Sequence, residues 1–499
     1  MVRRALKLGA VGVVGLAALV VVLYQFSGLR VVREGSGQPR LRFTTPNETQ
    51  AMVIARHREA QRAQGEPRVS PAGDAAAPPA NDATPVAAPA PPTGSTAAPA
   101  LFWTDFRGPR RDGVYDQRPI NTNWPAGGLT PMWKQPAGGG YASFSVARGR
   151  AFTIEQRGGD EVVAAYDVMT GRELWTNAWP TLFTEFMGGD GPRATPTWSD
   201  GRVYALGAIG ELRCLDEASG RVLWRVNILE DNGATNLDWG MAASPVIVDE
   251  TVIVLPGGPN GRSVVAYDRR TGARAWSALD DKAGYSSPML VTLAGVRQVL
   301  VFSASRLMGV TPDGGDVLWE YPWTTMSDVN VSQPLLIGDN RVFLSSGYGA
   351  GAAVLELAAA DGPGSPPRTP ALSGGGNLSV REVWRNTSMK NRFTSSVLHE
   401  GTIYGMDEAI LAAVDAGTGT LKWKGGRYGH GQVLLAGGHL IVLTEDGDLT
   451  LVKANPDRHE ELVRFPVLEG KTWNHPAMAG GYLLVRNLAE MAAFDLRLP

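Results

Sequence analysis

The stretch AAYDVMTGRELW, residues 164 to 175, decides the fold, because it returns as CLDEASGRVLW (214 to 224), AYDRRTGARAW (266 to 276) and AVDAGTGTLKW (413 to 423). Each copy opens on apolar residues in alternation, passes through Asp, a Thr or Ser and a Gly, and ends on Trp. Alternation gives a strand one buried face. Asp and Thr or Ser bracket a turn by bonding its backbone, and Gly takes the positive φ that the turn needs. The unit reads as two strands joined by a tight turn, with the Trp offering a flat face to a neighbouring sheet. That packing role, rather than a cofactor cage, is expected of Trp175, Trp224, Trp276 and Trp423, and equally of Trp133, Trp319 and Trp384 in less regular copies.

Two further strands precede each unit. The first follows a small residue and Pro, as in ATPTW (194 to 198), ASPVIV (243 to 248), SSPMLV (286 to 291), SQPLLI (332 to 337) and NHPAMA (474 to 479). The second follows a turn, as in SDGRVYAL (199 to 206), GDNRVFLS (338 to 345) and AGGYLLVR (479 to 486). Degraded second halves occur at GVTPDGGDVLW (309 to 319), at AVLELAAADG (353 to 362) continued by EVW (382 to 384), and at LTLVKANPDRHEELVRF (449 to 465). The terminal MAAFDLRLP (491 to 499) brings the copies to eight. Strands repeating at about 40 to 50 residues predict an all-β, eight-bladed β-propeller of four-stranded antiparallel blades. MAAFDLRLP lacks its outer strand, whereas TPMWKQP (130 to 136) has a Trp and no first half. Met132-Trp133-Lys134 is therefore expected to pair beside Phe494-Asp495-Leu496, closing the ring from both chain ends without open sheet edges.

Composition narrows the function. Lys+Arg 47 against Asp+Glu 49 gives a formal charge of -2, which supplies no basic field for nucleic acid. One cysteine, Cys214, rules out an internal disulfide framework, and six histidines without metal-ligand spacing predict no transition-metal site.

The N-terminal fifth is organised differently. Residues 1 to 30 carry Arg3, Arg4 and Lys7 before an uncharged apolar run from Leu8 to Leu23, read as an uncleaved single-pass anchor, with a cleaved secretion signal as the alternative. Residues 31 to 100 form a polar spacer with a short helix over 47 to 64 as one reading, then a disordered linker in which 20 of 30 residues from Pro71 to Ala100 are Ala or Pro. The linker reads as a tether holding a body that starts at 101 away from a membrane.

The units at 165 to 175, 266 to 276 and 413 to 423 resemble the eight-bladed quinoprotein alcohol dehydrogenase-like propellers, also called pyrroloquinoline quinone (PQQ) repeat proteins. FWTDFRGPRRDG (102 to 113) looks like the W-x-x-x-R-G-P-x-x-D-G opening segment of bacterial members. The resemblance covers about 101 to 499 and implies the fold, whereas function on this superfold is set by sites. Its enzymatic branch implies PQQ with calcium, an Asp base, a stacking Trp and a disulfide between adjacent cysteines; with Cys214 alone that disulfide cannot form. Its other branch includes the propeller lipoprotein of the bacterial outer-membrane barrel-assembly machinery, whose lipidated Cys is replaced here by the apolar run.

The family places any site at one channel mouth, where each outer strand hands over to the next inner strand. Those segments offer Tyr141, Arg193, Trp239, Tyr285, Asn330, Arg392, His430 and His475, with Asp190, Asp238 and Asp328 nearby. They either bond loop backbones and channel water, as any propeller mouth requires, or form an anionic or sugar-like pocket. Asp238 beside Trp239 is the candidate catalytic base or calcium ligand for a quinone enzyme. The reading is a monomeric, membrane-anchored propeller in the bacterial inner membrane facing the periplasm, binding or scaffolding an envelope protein partner without cofactor or metal. A PQQ- and calcium-dependent alcohol or sugar dehydrogenase and a carbohydrate or small-anion binding module are the alternatives.

Overall fold

The computed structural model describes residues 29–32, 40–43, 47–63, 102–359 and 378–498. A hairpin of β1 (Leu29–Val32) and β2 (Arg40–Phe43) precedes helix α1 (Asn47–Ala63). The segments β3 (Phe102–Trp103), β4 (Val114–Tyr115) and β5 (Trp133–Pro136) then lead into blade 1, formed by β6 (Ser145–Ala147), β7 (Arg150–Arg157), β8 (Asp160–Asp167) and β9 (Glu173–Pro180). Blades 2 to 7 occupy 197–227, 246–278, 289–322, 335–386, 397–427 and 432–466, each an antiparallel sheet running outward from the channel. Blade 8 takes three strands from 477–495 and its outermost from β5, so the ring of eight closes with both ends of the domain in one sheet.

The partner strands of that closure match the sequence expectation, but the register differs. Trp133 faces Ala493, Lys134 faces Ala492 and Gln135 faces Met491, while Met132 N–H donates to the Ala493 carbonyl at 2.7 Å. Phe494 pairs instead with Leu483 on the inner side of its strand. The register matches that of blade 1, where Trp175 stands opposite Ala165, two residues before the bracketing Asp, as Trp133 stands opposite Ala493, two residues before Asp495; in blade 1 a bulge follows that pair and skips Leu174.

The repeated turn works as its composition requires. Asp167 Oδ1 accepts from Thr170 N–H and Thr170 Oγ1, both at 2.8 Å, and Gly171 sits at φ 68. Asp216, Asp268 and Asp415 do the same with Ser219, Thr271 and Thr418. A β-carbon on Gly220 would lie 2.4 Å from the Trp175 ring, and Trp175 Nε1 donates to the Glu217 carbonyl at 2.9 Å. The turn glycine of one blade is thus the seat for the indole of the blade before it. Trp133 rests in this way on blade 1, Trp224 on blade 3, Trp276 on Gly315 of blade 4 and Trp384 on blade 6, whereas Trp423 meets a glycine-free turn of blade 7, donating to the Asn455 carbonyl at 2.8 Å with His459 edge-on to its ring. Trp319 departs from the pattern: it is buried and donates to Gln298 Oε1 in its own blade, and the facing turn of blade 5 lies outside the described residues.

Helix α1 changes the place of the Ala/Pro-rich linker. Ile54 and Arg58 are buried against the propeller, Gln50 Nε2 donates to the Leu488 carbonyl at 2.7 Å, and Arg58 Nη1 donates to Gln135 Oε1 at 2.6 Å. The body therefore includes a segment before residue 101, and the linker connects that docked helix back to β3 rather than holding the body off a membrane. Among the described residues no helix is long and apolar enough to cross a membrane, and of the anchor expected over 1 to 30 all but Leu29 and Arg30 lies outside them.

Candidate functional site

The innermost strand of each blade has one edge unpaired and facing the channel, with carbonyls that need donors. In blades 1 and 7 that edge is covered by the chain itself: β3 adds antiparallel to β6, and β4 adds parallel to the strand at Gln432–Ala436, making both sheets five-stranded. Between β3 and β4 the segment 104 to 113 crosses the channel.

Two arginines of that segment supply the missing donors. Arg111, buried, donates to the Ser244 carbonyl at 3.1 Å, the Pro288 carbonyl at 2.9 Å, the Pro245 carbonyl and Thr197 Oγ1, while Asp105 balances its charge at 2.9 Å. One planar guanidinium therefore joins blades 2, 3 and 4. Arg107, also buried, reaches the Ser396 carbonyl of blade 6 at 2.5 Å and the Asp112 carbonyl at 2.9 Å, and burial brings its pKa down to about 10. Both arginines hold positive φ, 62 and 58, in a segment punctuated by Gly108, Pro109 and Gly113. The carbonyls that Arg111 reaches, of Ser244, Pro245 and Pro288, belong to the small-Pro pairs seen in the sequence. A cavity of about 340 Å³ remains beside the plug, between Asp105, Arg110 and Arg111 on one side and Trp198, Ile247 and Leu290 on the other. Sequence reasoning took FRGPRRDG only as a family mark; the spacing of its two arginines was the available signal, but their acceptors come from four distant blades.

The opposite mouth holds the eight predicted side chains in several groups. Tyr141 packs on Trp473 (ring centroids 5.2 Å), Trp473 on Phe393 (4.3 Å), and Phe393 on His430 (4.6 Å), so aromatic rings meet across the opening. Arg193 lies over Phe183 at 4.5 Å and spends its guanidinium on the Gly189 and Gly191 carbonyls. Arg392 pairs with Glu408 at 2.7 Å and covers Tyr348. Trp239 packs on Tyr285 at 5.7 Å in an apolar cluster with Leu237, Ala283 and Val329. Asn330 is buried and bonds the Ser303, Ala304 and Trp323 carbonyls. His475 lies deeper, with Phe106 of the plug edge-on at 4.8 Å; burial, then the charge of Arg107, drives its pKa well down. His430, fully buried with both ring nitrogens unbonded, is lowered to about 4, by burial first and by Arg392 second. Trp473 Nε1 donates to Glu445 Oε1 at 2.8 Å, a rim contact that sequence reasoning missed because a loop and a turn from neighbouring blades make it.

These residues do not fit PQQ with calcium. Asp238 is exposed, in a cleft of about 40 Å³ with Lys282, Tyr285 and Asp328, and Asp328 is paired with Lys282 at 3.2 Å. Asp190, on the neighbouring hand-over loop, accepts instead from Asn47 Nδ2 of α1 at 2.9 Å. Among the described residues no three His, Cys, Asp or Glu side chains are placed to hold one ion. The Trp239 ring expected to stack on a cofactor is packed at a tilt of 59° against Tyr285.

Behind the mouth, Glu161 is buried with Oε1 accepting from Ala208 N–H at 2.8 Å and Oε2 unbonded, and burial lifts its pKa to about 7. A carboxyl raised in the folded state favours folding below its unfolded pKa and loses that contribution as pH climbs through about 7. Urea unfolding at pH 5 and pH 8 is expected to show a loss of up to about 3 kcal/mol from this group, absent in Glu161→Gln. Parallel pH profiles for the two proteins would rule the assignment out.

Comparison with known proteins bears on the whole ring. The solved quinohemoprotein alcohol dehydrogenase of Comamonas testosteroni superposes with TM-score 0.54 over 80% of this chain and 81% of that one, at 14% identity, a likeness of fold alone. BamB of Moraxella catarrhalis aligns over 73% of this chain and 97% of its own with TM-score 0.49 and 14% identity. Outer membrane protein assembly factor BamB of Escherichia coli K12 is 28% identical over 154 residues, 30% of this chain, so the match spans 36% of that relative's length. The family model described as outer membrane protein assembly factor BamB matches residues 159–424, more than half of the chain. The match runs from the second half of blade 1 to the outer strand of blade 6, and the chain belongs to the BamB family of propellers.

Proposed function

We propose that this protein is a membrane-anchored, extracytoplasmic propeller that binds and positions other proteins during envelope protein assembly. The observation that carries this reading is the filled channel: Arg107 and Arg111 occupy it from one end, and aromatic rings meet over the other. A propeller whose axis is occupied by its own chain works through its rim and outer strands. Membership in a family named for outer membrane protein assembly supports the process, and the apolar run Leu8 to Leu23 supports the anchoring.

Photo-crosslinkers at Leu174, Leu421 and Leu462, exposed apolar positions on the outer strands of blades 1, 6 and 7, test it in bacterial membranes. Adducts with proteins of outer-membrane assembly are expected. An absence of adducts, together with dye reduction by protein incubated with PQQ and calcium, would replace the scaffold with an enzyme.

A further inference from the structure

We propose that the mouth face of the propeller lies against the surface of the lipid bilayer that anchors the chain, with the loop tips at Phe186, Met187 and Met326 inserted among the lipids. This rests on the reading of Leu8 to Leu23 as a membrane anchor, and adds the orientation and the contact surface.

Chain geometry sets the leash. Asn47, the first residue of α1, bonds Asp190 of the loop between blades 1 and 2 at 2.9 Å, so the N-terminal end of the helix sits at the mouth. Phe43 is four residues earlier, within about 14 Å of chain reach. The hairpin then turns the chain back, since Leu29 pairs directly with Phe43, which places their Cα atoms about 5 Å apart. Phe26, just beyond the apolar run, is three residues from Leu29, at most about 11 Å more. The end of the run therefore lies within about 30 Å of the mouth loop, although 20 residues separate Phe26 from Asn47 by number. The long Ala/Pro-rich linker adds nothing to this leash, because it follows α1.

The surface brought to the membrane is suited to it. Leu182, Phe186 and Met187 are 54%, 70% and 56% exposed on one hand-over loop, and Met326 is 76% exposed on another, between blades 4 and 5. Large apolar side chains raised on separate sides of a ring can meet a flat apolar layer together, as interfacial anchors do. The cations Lys282 and Arg392 at this face are paired internally, with Asp328 and Glu408, so insertion rather than attraction to anionic headgroups is the expected mode. Met169, also exposed, lies in the turn before β9, whose eight residues separate it from the mouth loop by about 27 Å.

The test uses the full chain reconstituted into zwitterionic vesicles with brominated acyl chains. A fluorescent label is placed at Phe186→Cys, Met326→Cys or Met169→Cys; the native Cys214 is buried and leaves little background. Quenching at 186 and 326 at least fivefold stronger than at 169, and unchanged by salt, is the expected result. Protein that stays with the vesicles through alkaline washing yet quenches equally at all three sites, or most at 169, overturns the orientation alone. Protein that washes off overturns the anchor and the orientation with it.

Discussion

A chain truncated after Gly480 is expected to lose cooperative unfolding altogether. The deleted strands hold Leu483, Leu484, Val485, Met491, Ala492, Ala493, Phe494 and Leu496, all 2% exposed or less. Burial of that set is worth about 10 kcal/mol, comparable to the entire stability of a domain. The loss also opens blade 1: Arg486, fully buried, donates to the Gly138 carbonyl at 2.8 Å and neighbours the buried carboxylate of Glu155, whose pKa is held at about 2 against burial by Arg157 and then Arg486. Trp133→Ala is the milder form of the same cut. Its indole is half-buried on the Gly171 turn and bonded to Val168, so about 2–3 kcal/mol and a clear drop in melting temperature are expected. Calorimetry of both proteins decides the matter. A truncated chain with the full-length transition would mean the ring does not depend on its joint.

Arg111→Ala should cost about 3–5 kcal/mol in denaturant unfolding, because it leaves Asp105 without its partner and strands three buried carbonyls in the channel. Arg111→Lys should restore less than half, since an ammonium cannot span acceptors from three blades as a planar guanidinium does. Arg110 is the control. It is adjacent in sequence and also ion-paired, but its side chain is 54% exposed, so Arg110→Ala should cost under about 1 kcal/mol. Equal effects at 110 and 111 would show that the segment fills space without tying the blades.

The two predictions mark where sequence stops being readable. Blade 8 was legible because MAAFDLRLP and TPMWKQP are the complementary halves of one periodic unit, and period is a local property. Its register was not, because which residue of one strand stands opposite which of the other is a property of the paired backbone. Arg107 and Arg111 stood in the quoted opening segment, yet nothing within it distinguishes them from Arg110; their acceptors come from blades 2, 3, 4 and 6. The eight candidate side chains sit on the hand-over segments between blades. What each does there depends on neighbours far away in sequence: Asn330 on Ser303, Arg392 on Glu408, Trp473 on Glu445.

For this protein the sequence alone determined the blade count, the turn chemistry and the seam at which the ring shuts, because each follows from hydrogen bonds and apolar alternation within a dozen residues. Only the tertiary structure decided that the channel is filled by its own chain and that α1 packs on the body, so that the long linker joins two parts of that body. Those outcomes rest on contacts between segments tens to hundreds of residues apart, where burial, charge balance and unpaired carbonyls are set by the closed ring and by no stretch of the chain in isolation.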